Sequence, residues 1–162
     1  MPRLGDTLRM IIWREKMSID GDGVIDQDHK HLIDIINRFE RMASDGLDRN
    51  EATEILYALK FYTETHFGRE EQLQNMINYP DVRDHHEEHR ELIKALDDVI
   101  VHLKESQDEV LAQVHHETAE LLHDWLVGHI LHSDLKMRPY VELMQTHADH
   151  FGALKDLEVD ID

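Results

Sequence analysis

The chain contains no cysteine, and only three of its 162 residues are proline. The absence of cysteine excludes a disulfide framework, an iron–sulfur cluster and a zinc site built from thiolates. It also fits a reducing compartment, so we expect a cytoplasmic protein. Because helix-breaking prolines and glycines are few and apolar residues recur every three or four positions, the sequence predicts an all-helical (all-α) fold.

Positive charge and long apolar runs are scarce as well. Acidic residues number 35 against 17 basic ones, which gives a net charge of -18. Nucleic acids and anionic membranes are bound by clustered positive charge, so we expect neither as a partner. No stretch approaches the roughly 20 apolar residues of a membrane helix. The short apolar run at residues 10–13 does not predict a signal peptide.

Hydrophobic periodicity predicts four long helices at about residues 24–44, 48–76, 82–104 and 109–132. Short breaks join them, so we expect an antiparallel, up-down-up-down four-helix bundle. Asp48 followed by Glu51 predicts a capping box at the start of the second helix. In the fourth helix, Leu121 and Leu122 are both expected to face the core.

Shorter segments flank the predicted bundle. Residues 1–23 are expected to form an irregular arm. Pro139 interrupts the pattern after the fourth helix, so residues 140–151 are predicted as a separate short helix, followed by a frayed tail at 157–162. We expect the whole chain to form one domain, divided into an arm, a bundle core and a C-terminal segment at residues 1–23, 24–134 and 135–162.

Histidines and carboxylates at helical spacing form the most informative pattern in the chain. Pairs four residues apart share one helix face. Seven side chains on the inward faces are candidate metal ligands: His29, His66, Glu70, His85, His89, His129 and Asp134. Those of the first and third helices lie near the helix starts, and those of the second and fourth lie near the helix ends. In an antiparallel bundle these positions are level, so we predict that all seven converge.

A metal centre explains this convergence better than ordinary core packing does. Buried polar groups left without partners cost about 1–3 kcal/mol each. Five imidazoles and two carboxylates suit a pair of iron ions. One candidate imposes a condition: five residues at 100° each place Asp134 about 140° around the helix from His129. We therefore predict a helix end, a tight turn or a π-bulge between them, and the same angular argument favours Glu70 over Glu71.

Four segments carry a family resemblance: residues 25–30 (IDQDHK), 66–71 (HFGREE), 85–89 (HHEEH) and 125–134 (WLVGHILHSD). In this order and with these separations they resemble the bacterial hemerythrins, and the likeness extends over about residues 13–141. The resemblance implies a non-haem di-iron centre that binds dioxygen reversibly, in a carrier, store or sensor rather than an enzyme. Dioxygen and small anions such as azide would be its ligands.

The resemblance also implies individual roles. One iron would bind His85, His89 and His129, the other His29 and His66, with Glu70, Asp134 and an oxo or hydroxo group bridging both. Dioxygen is expected at the iron that has two histidines. Leu126 would line the dioxygen pocket, and Trp13 would cap the bundle nearby. The chain departs from the family at Asp28, where glutamine is usual, and at Met137, where tyrosine is frequent.

Alternative interpretations remain open from the sequence. A di-iron enzyme of the peroxidase or iron oxidase type would use the same donors. A signalling module without oxygen transport would need a separate partner protein, and the oligomeric state is undetermined. Residues 18–26 resemble the first part of a calcium loop, but its twelfth position holds His29 instead of a bidentate glutamate. We therefore predict an acidic turn that caps the first helix.

Overall fold

The computed structural model describes residues 8–157, with side chains described as far as residue 148. Five α-helices are present: α1 (Val24–Ser44), α2 (Arg49–Met76), α3 (Val82–Glu105), α4 (Leu111–His132) and α5 (Arg138–Leu157). Three short 3₁₀ turns lie at Glu15–Met17, Asp108–Val110 and Asp134–Met137. The described part of the chain contains no β-strand, which confirms the all-helical prediction. None of its helices is both long and apolar enough to cross a bilayer.

The first four helices form a closed ring. Each packs against the next along the chain, and α1 also packs against α4. Short connections between consecutive helices make neighbours antiparallel, so the predicted up-down-up-down bundle is confirmed. Asp48 caps α2 as expected: its carboxylate accepts the N–H groups of Asn50 and Glu51 at 2.7 and 3.0 Å, and the Glu51 carboxylate accepts the Asp48 N–H.

Two apolar clusters fill the molecule. The main core runs along the bundle and contains fully buried Phe39, Leu56 and Leu103. The second, which we name the basal cluster, consists of Ile19, Ile25, Tyr79, Met137 and Val141. It joins the arm and the start of α5 to the bundle.

Two sequence predictions about the helices are wrong. Leu121 is 45% exposed, whereas Leu122 is fully buried, because adjacent residues on a helix point 100° apart and only one of them faces the core. α5 is longer than the predicted helix at residues 140–151 and begins at Arg138. Pro139 lies in its first turn, where the missing N–H would have no helical partner. Of the predicted tail at 157–162, Leu157 is the last residue of α5, and residues 158–162 lie outside the described part of the chain.

The arm is irregular, as predicted, but it is packed. Ile11 and Asn37 of α1 exchange two hydrogen bonds, since the Ile11 N–H donates to Asn37 Oδ1 and Asn37 Nδ2 donates to the Ile11 carbonyl, both at 2.8 Å. Arg138 donates to the Ser18 carbonyl through Nε at 2.6 Å. These contacts attach the arm to α1 and to α5.

The acidic turn before α1 is a cap. The Asp20 carboxylate accepts the N–H groups of Ile25 and Asp26 in the first turn of the helix. Asp26 in turn accepts from Ile19 N–H and Ser18 Oγ. These carboxylates are occupied by protein donors, in agreement with the prediction of a capping turn.

Candidate metal centre

All seven candidate ligands meet at one end of the bundle, and none is more than 5% exposed. α1 supplies one, α2 two, α3 two, α4 one and the following 3₁₀ turn one, in the order His29, His66, Glu70, His85, His89, His129 and Asp134. The predicted convergence of the inward helix positions is therefore confirmed.

The chain leaves the α-helix between His129 and Asp134. α4 ends at His132, and Ser133 adopts φ −116° and ψ −59° before Asp134 opens the 3₁₀ turn. The Ser133 N–H still donates to the His129 carbonyl at 2.9 Å. This helix end, which the angular argument predicted, brings Asp134 Oδ1 to 2.9 Å from His129 Nε2.

Glu70 presents its two carboxylate oxygens to different histidines. Oε1 lies 3.3 Å from His29 Nε2 and 3.2 Å from His66 Nε2. Oε2 lies 3.1 Å from His89 Nε2 and 3.6 Å from His85 Nε2. One carboxylate therefore faces two separate groups of imidazoles.

Asp134 divides its oxygens in the same way. Oδ2 lies 3.1 Å from His29 Nε2, and Oδ1 lies 2.9 Å from both His85 Nε2 and His129 Nε2. Two overlapping donor sets result, and within each set the donor atoms lie no more than 4.8 Å apart. We name them the five-donor set (Glu70, His85, His89, His129, Asp134) and the four-donor set (His29, His66, Glu70, Asp134).

The donor atoms have the surroundings expected of metal ligands. The five Nε2 atoms and the four oxygens of Glu70 and Asp134 have only one another as polar neighbours, and among the described residues none has a partner in hydrogen-bonding geometry. Buried polar atoms are almost always paired, so this concentration of unpaired ones requires a cause. Two ligands each about 2.1 Å from one ion and at right angles lie about 3 Å apart, close to the separations found here. Imidazole and carboxylate donors suit iron.

The electrostatics also require positive charge. Burial alone would lower the pKa of His129, but Asp134, Glu88 and Glu70 outweigh it and raise that pKa to about 10. Burial would raise the pKa of Glu70, yet the surrounding histidines hold it well below its usual range. In the absence of a cation, the negative charge of the two buried carboxylates therefore keeps the neighbouring histidines protonated. Bound cations would replace those protons.

Outer carboxylates fix three of the histidines through Nδ1. The pairs are Asp28 with His66 at 3.0 Å, Glu71 with His89 at 3.1 Å and Glu88 with His129 at 3.1 Å. An ionised carboxylate only accepts hydrogen bonds, so each of these histidines donates from Nδ1 and directs Nε2 at the cluster, where its lone pair is available once a cation displaces the proton. Burial would raise the pKa of Asp28, but its donors hold it far below normal. The hydrogen bond from His129 lowers the pKa of Glu88 to about 2.

Sequence reasoning missed the roles of Glu71, Glu88 and Phe67. The Phe67 ring stacks on His89, with centroids 3.7 Å apart and planes 3° apart, and meets His129 edge-on at 5.5 Å. One indication of these roles was present in the sequence: all three residues lie inside the HFGREE and HHEEH segments, each directly before or after a candidate ligand. Which ring each would touch depends on the register between helices.

The two predicted pocket residues lie in different surroundings. Leu126 is buried in the main core, one turn before His129 on α4. Trp13 is half-buried against the same core, and Lys30 Nζ lies 5.1 Å from the centre of its ring. Met137 is buried in the basal cluster and accepts a hydrogen bond from Gln74 Nε2 at 3.3 Å. The roles of Leu126 and Trp13 beside dioxygen stay predictions.

The fold and the donor sets together define a four-helix bundle with a buried histidine–carboxylate cluster. The sequence model of one protein family, the hemerythrin HHE cation binding domain, matches residues 20–141. The chain therefore belongs to the hemerythrin family, whose members bind dioxygen at non-haem iron and are generally not enzymes. This confirms the family resemblance and the oxygen-binding class inferred from the sequence.

Individual relatives cover most of the chain. The bacteriohemerythrin of Stenotrophomonas maltophilia is 26% identical over 145 residues, which is 90% of this chain and 88% of that protein. The bacteriohemerythrin of Methylococcus capsulatus is 32% identical over 108 residues, 67% of this chain and 79% of that protein. Crystal structures of hemerythrin variants with leucine changed to tyrosine or alanine share 27% identity and a TM-score of 0.69, covering 82% of this chain and 97% of theirs.

Proposed function

We propose that this chain binds dioxygen reversibly at a centre of two iron ions, as an oxygen carrier, store or sensor. The observation that carries the proposal is the division of each buried carboxylate between two histidine groups. A carboxylate in that position can bridge two ions, and the two overlapping donor sets are one for each ion.

Each donor set has a distinct role in this proposal. The five-donor set would hold one iron with three imidazoles, and the four-donor set would hold the other with two. Because the four-donor set offers one ligand fewer, we assign it the exchangeable ligand. When bound, the ions would supply the two electrons that hold dioxygen. The two carboxylates offset part of the cationic charge, and neutral imidazoles add none, which limits the cost of burying the centre.

Apolar surroundings would protect the bound ligand. The Phe67 ring lies against His66 of the four-donor set, with centroids 5.8 Å apart, and also covers His89 and His129. Leu126 is buried one turn from His129. Such walls exclude water and the proton donors that water brings, which favours release of intact dioxygen over irreversible reduction.

Optical spectroscopy on metal-loaded protein tests the proposal. The metal-free chain is loaded with ferrous iron under argon, exposed to dioxygen, and returned to argon. We expect two iron ions per chain and an absorption band that appears with dioxygen, disappears under argon and is replaced when azide is added to oxidised protein. His85→Ala should abolish the band, whereas His102→Ala, an exposed histidine on the same helix, should leave it unchanged.

Other outcomes identify the alternatives. Repeated turnover of a reductant or peroxide, without a stable oxygenated band, would make the chain a di-iron enzyme. A chain that binds no iron and melts at the same temperature with or without it would be a signalling or structural bundle.

A further inference from the structure

Asp28 is a buried charge that the proposed dioxygen chemistry does not require as a ligand. It lies on α1 beside His29 and is only 3% exposed. Its carboxylate nevertheless points across to α2 and collects four hydrogen bonds there. Burying a carboxylate costs free energy unless hydrogen-bond donors pair with it, so the donors around Asp28 indicate its role.

All four donors to Asp28 come from α2. Oδ1 accepts from Tyr62 Oη and Arg69 Nη2, each at 2.7 Å. Oδ2 accepts from Arg69 Nε at 2.7 Å and from His66 Nδ1 at 3.0 Å. The two-pronged Arg69 contact fixes the plane of the carboxylate. With Tyr62 and Arg69 in place, Asp28 can meet His66 in one orientation only.

The other histidine of the four-donor set has no such support. Within the described residues, His29 Nδ1 is buried and has no hydrogen-bond partner. In the five-donor set, by contrast, His89 and His129 each have an outer carboxylate. The second ion of the proposed centre therefore depends on a single oriented imidazole.

We propose that Asp28, held by Arg69 and Tyr62, is the positioning residue for the four-donor metal subsite. It keeps the proton of His66 on Nδ1 and so leaves Nε2 as a lone pair directed at the ion. This inference rests on the proposed di-iron function, and it concerns the subsite to which the exchangeable ligand is assigned. Arg69 and Tyr62 act through Asp28 and do not touch the donor atoms.

An amide at this position keeps the shape of the side chain but removes its charge. Both carboxylate oxygens accept from Arg69, so Asp28→Asn places an amide nitrogen against one of the Arg69 N–H groups. The single neutral oxygen that remains is a weaker acceptor than a carboxylate, so it holds the His66 Nδ1 proton less firmly. Loss of an outer partner of a metal ligand typically costs about 10- to 100-fold in metal affinity.

Metal competition measures this effect directly. Ferrous iron is titrated under argon against a coloured ferrous chelator, and crystals grown at limiting iron report occupancy at each subsite through anomalous scattering. For Asp28→Asn we expect the second iron to bind about 10- to 100-fold more weakly, with the loss confined to the four-donor subsite. The matched change Glu88→Gln, beside His129, should weaken the five-donor subsite instead. Tyr62→Phe, which removes one donor but leaves the carboxylate and Arg69, should cause a smaller loss at the same subsite. Glu64→Gln, an exposed change on the same helix, should cause none.

A charge readout accompanies the affinity measurement. At saturating iron, Asp28→Asn leaves the Arg69 guanidinium without its counter-charge and should raise the reduction potential of the centre. Arg69→Gln leaves Asp28 without its counter-charge and should lower it. A purely structural role for the pair would not move the potential in opposite directions.

A measurement on the unaltered chain keeps the inference testable if Asp28→Asn fails to fold. In zinc-loaded protein, proton NMR should show a downfield, slowly exchanging ring N–H proton from His66 and a faster-exchanging one from His29. Equal exchange at the two histidines would overturn the inference, as would two-iron binding of wild-type affinity in Asp28→Asn. If the wild-type chain itself does not bind two ions, the proposed function fails, which is a separate result.

Discussion

The two ends of the bundle are equally buried but have opposite chemistry. At the end far from the donors, Phe39, Leu56 and Leu103 are fully buried, and burial of apolar area is favourable by itself, at roughly 25 cal/mol per Å². At the donor end, Glu70 and Asp134 are just as buried, yet burial opposes their charge. Burial of apolar side chains stabilises the far end, whereas the donor end needs protons or cations to offset the buried negative charge.

Histidines show the contrast most directly. His115 is buried on α4 beside Phe39, and burial lowers its pKa. His129 is buried to a similar degree on the same helix, but nearby carboxylates raise its pKa to about 10. The sign of the shift is therefore set by neighbouring charge rather than by depth, and only the donor end is prepared for positive charge.

The largest effect should follow from removing a shared carboxylate. Glu70→Gln keeps the size of the side chain but leaves one oxygen where two donor sets need one each, so iron binding should fall from two ions per chain to about one. Iron analysis after anaerobic loading and desalting measures this. Glu64→Gln, an exposed change on the same helix, should retain two ions. Full iron content in Glu70→Gln would remove the bridging role.

A cavity at the apolar end should change stability without changing metal content. Phe39→Ala removes a fully buried ring and should cost about 3–5 kcal/mol of unfolding free energy. Urea denaturation of the metal-free protein measures the loss, with exposed Arg38→Ala as the control. If Phe39→Ala also lowered the iron content, the two ends would not be independent.

Iron loading should release protons at neutral pH. In the metal-free protein, burial would lower the pKa values of His29 and His85, but Asp134 and Glu70 raise both to about 9. These histidines are therefore protonated at pH 7.5, and iron binds only their neutral forms. Iron affinity should rise with pH up to about 9, and a pH-stat should record base uptake on each ferrous addition. Loading without proton release would contradict the raised pKa values.

The raised pKa values of these histidines should also make the stability of the metal-free protein fall as the pH rises, whereas iron affinity rises with pH. Histidines whose pKa is raised on folding stabilise the folded chain below the unfolded value near 6.5. That contribution should be lost as the pH rises through about 9, a trend that urea midpoints between pH 6 and pH 10 would show. Saturation with a redox-inert divalent ion should suppress it.

The smallest effect should come from His115. Its pKa is lowered by burial, so the unfolded chain binds a proton more readily and stability falls as the pH drops below about 6.5. His115→Leu should reduce this acid sensitivity and change stability little at pH 8. Denaturation at pH 5.5 and pH 8 gives the comparison, and an unchanged acid sensitivity would show that other groups cause it.

Helix positions and the meeting of the donors could be predicted because both follow from simple periodicity. An inward histidine repeats the 3.6-residue pattern, and antiparallel helices put starts and ends at one level. The break before Asp134 followed from the same angle. The contact of Glu88 with His129 could not be predicted, because it depends on the rotation of α3 against α4. Leu121 was misplaced because two adjacent leucines compete for one inward direction.

The contacts of Asp28 could be predicted only in part. The sequence identified Asp28 as a departure from the family beside His29, but it did not predict where the carboxylate points or which residues it contacts. Arg69 is 41 positions away along the chain and meets it only when α1 and α2 lie side by side. The length of α5 was missed for a local reason, because a proline in the first turn starts a helix as readily as it ends one.

The two hydrogen bonds between Ile11 and Asn37 extend the stable part of the molecule beyond the family match. Ile11 lies upstream of the matched region, which starts at residue 20, yet it satisfies the buried side-chain amide of Asn37 in the middle of α1. A shortened chain that starts at residue 20 would lose both hydrogen bonds of that amide, worth about 0.5–1.5 kcal/mol each, and the packing of buried Ile11 and Met17 against the main core. The arm ahead of the first helix therefore contributes to the stability of the bundle, although it contributes no ligand.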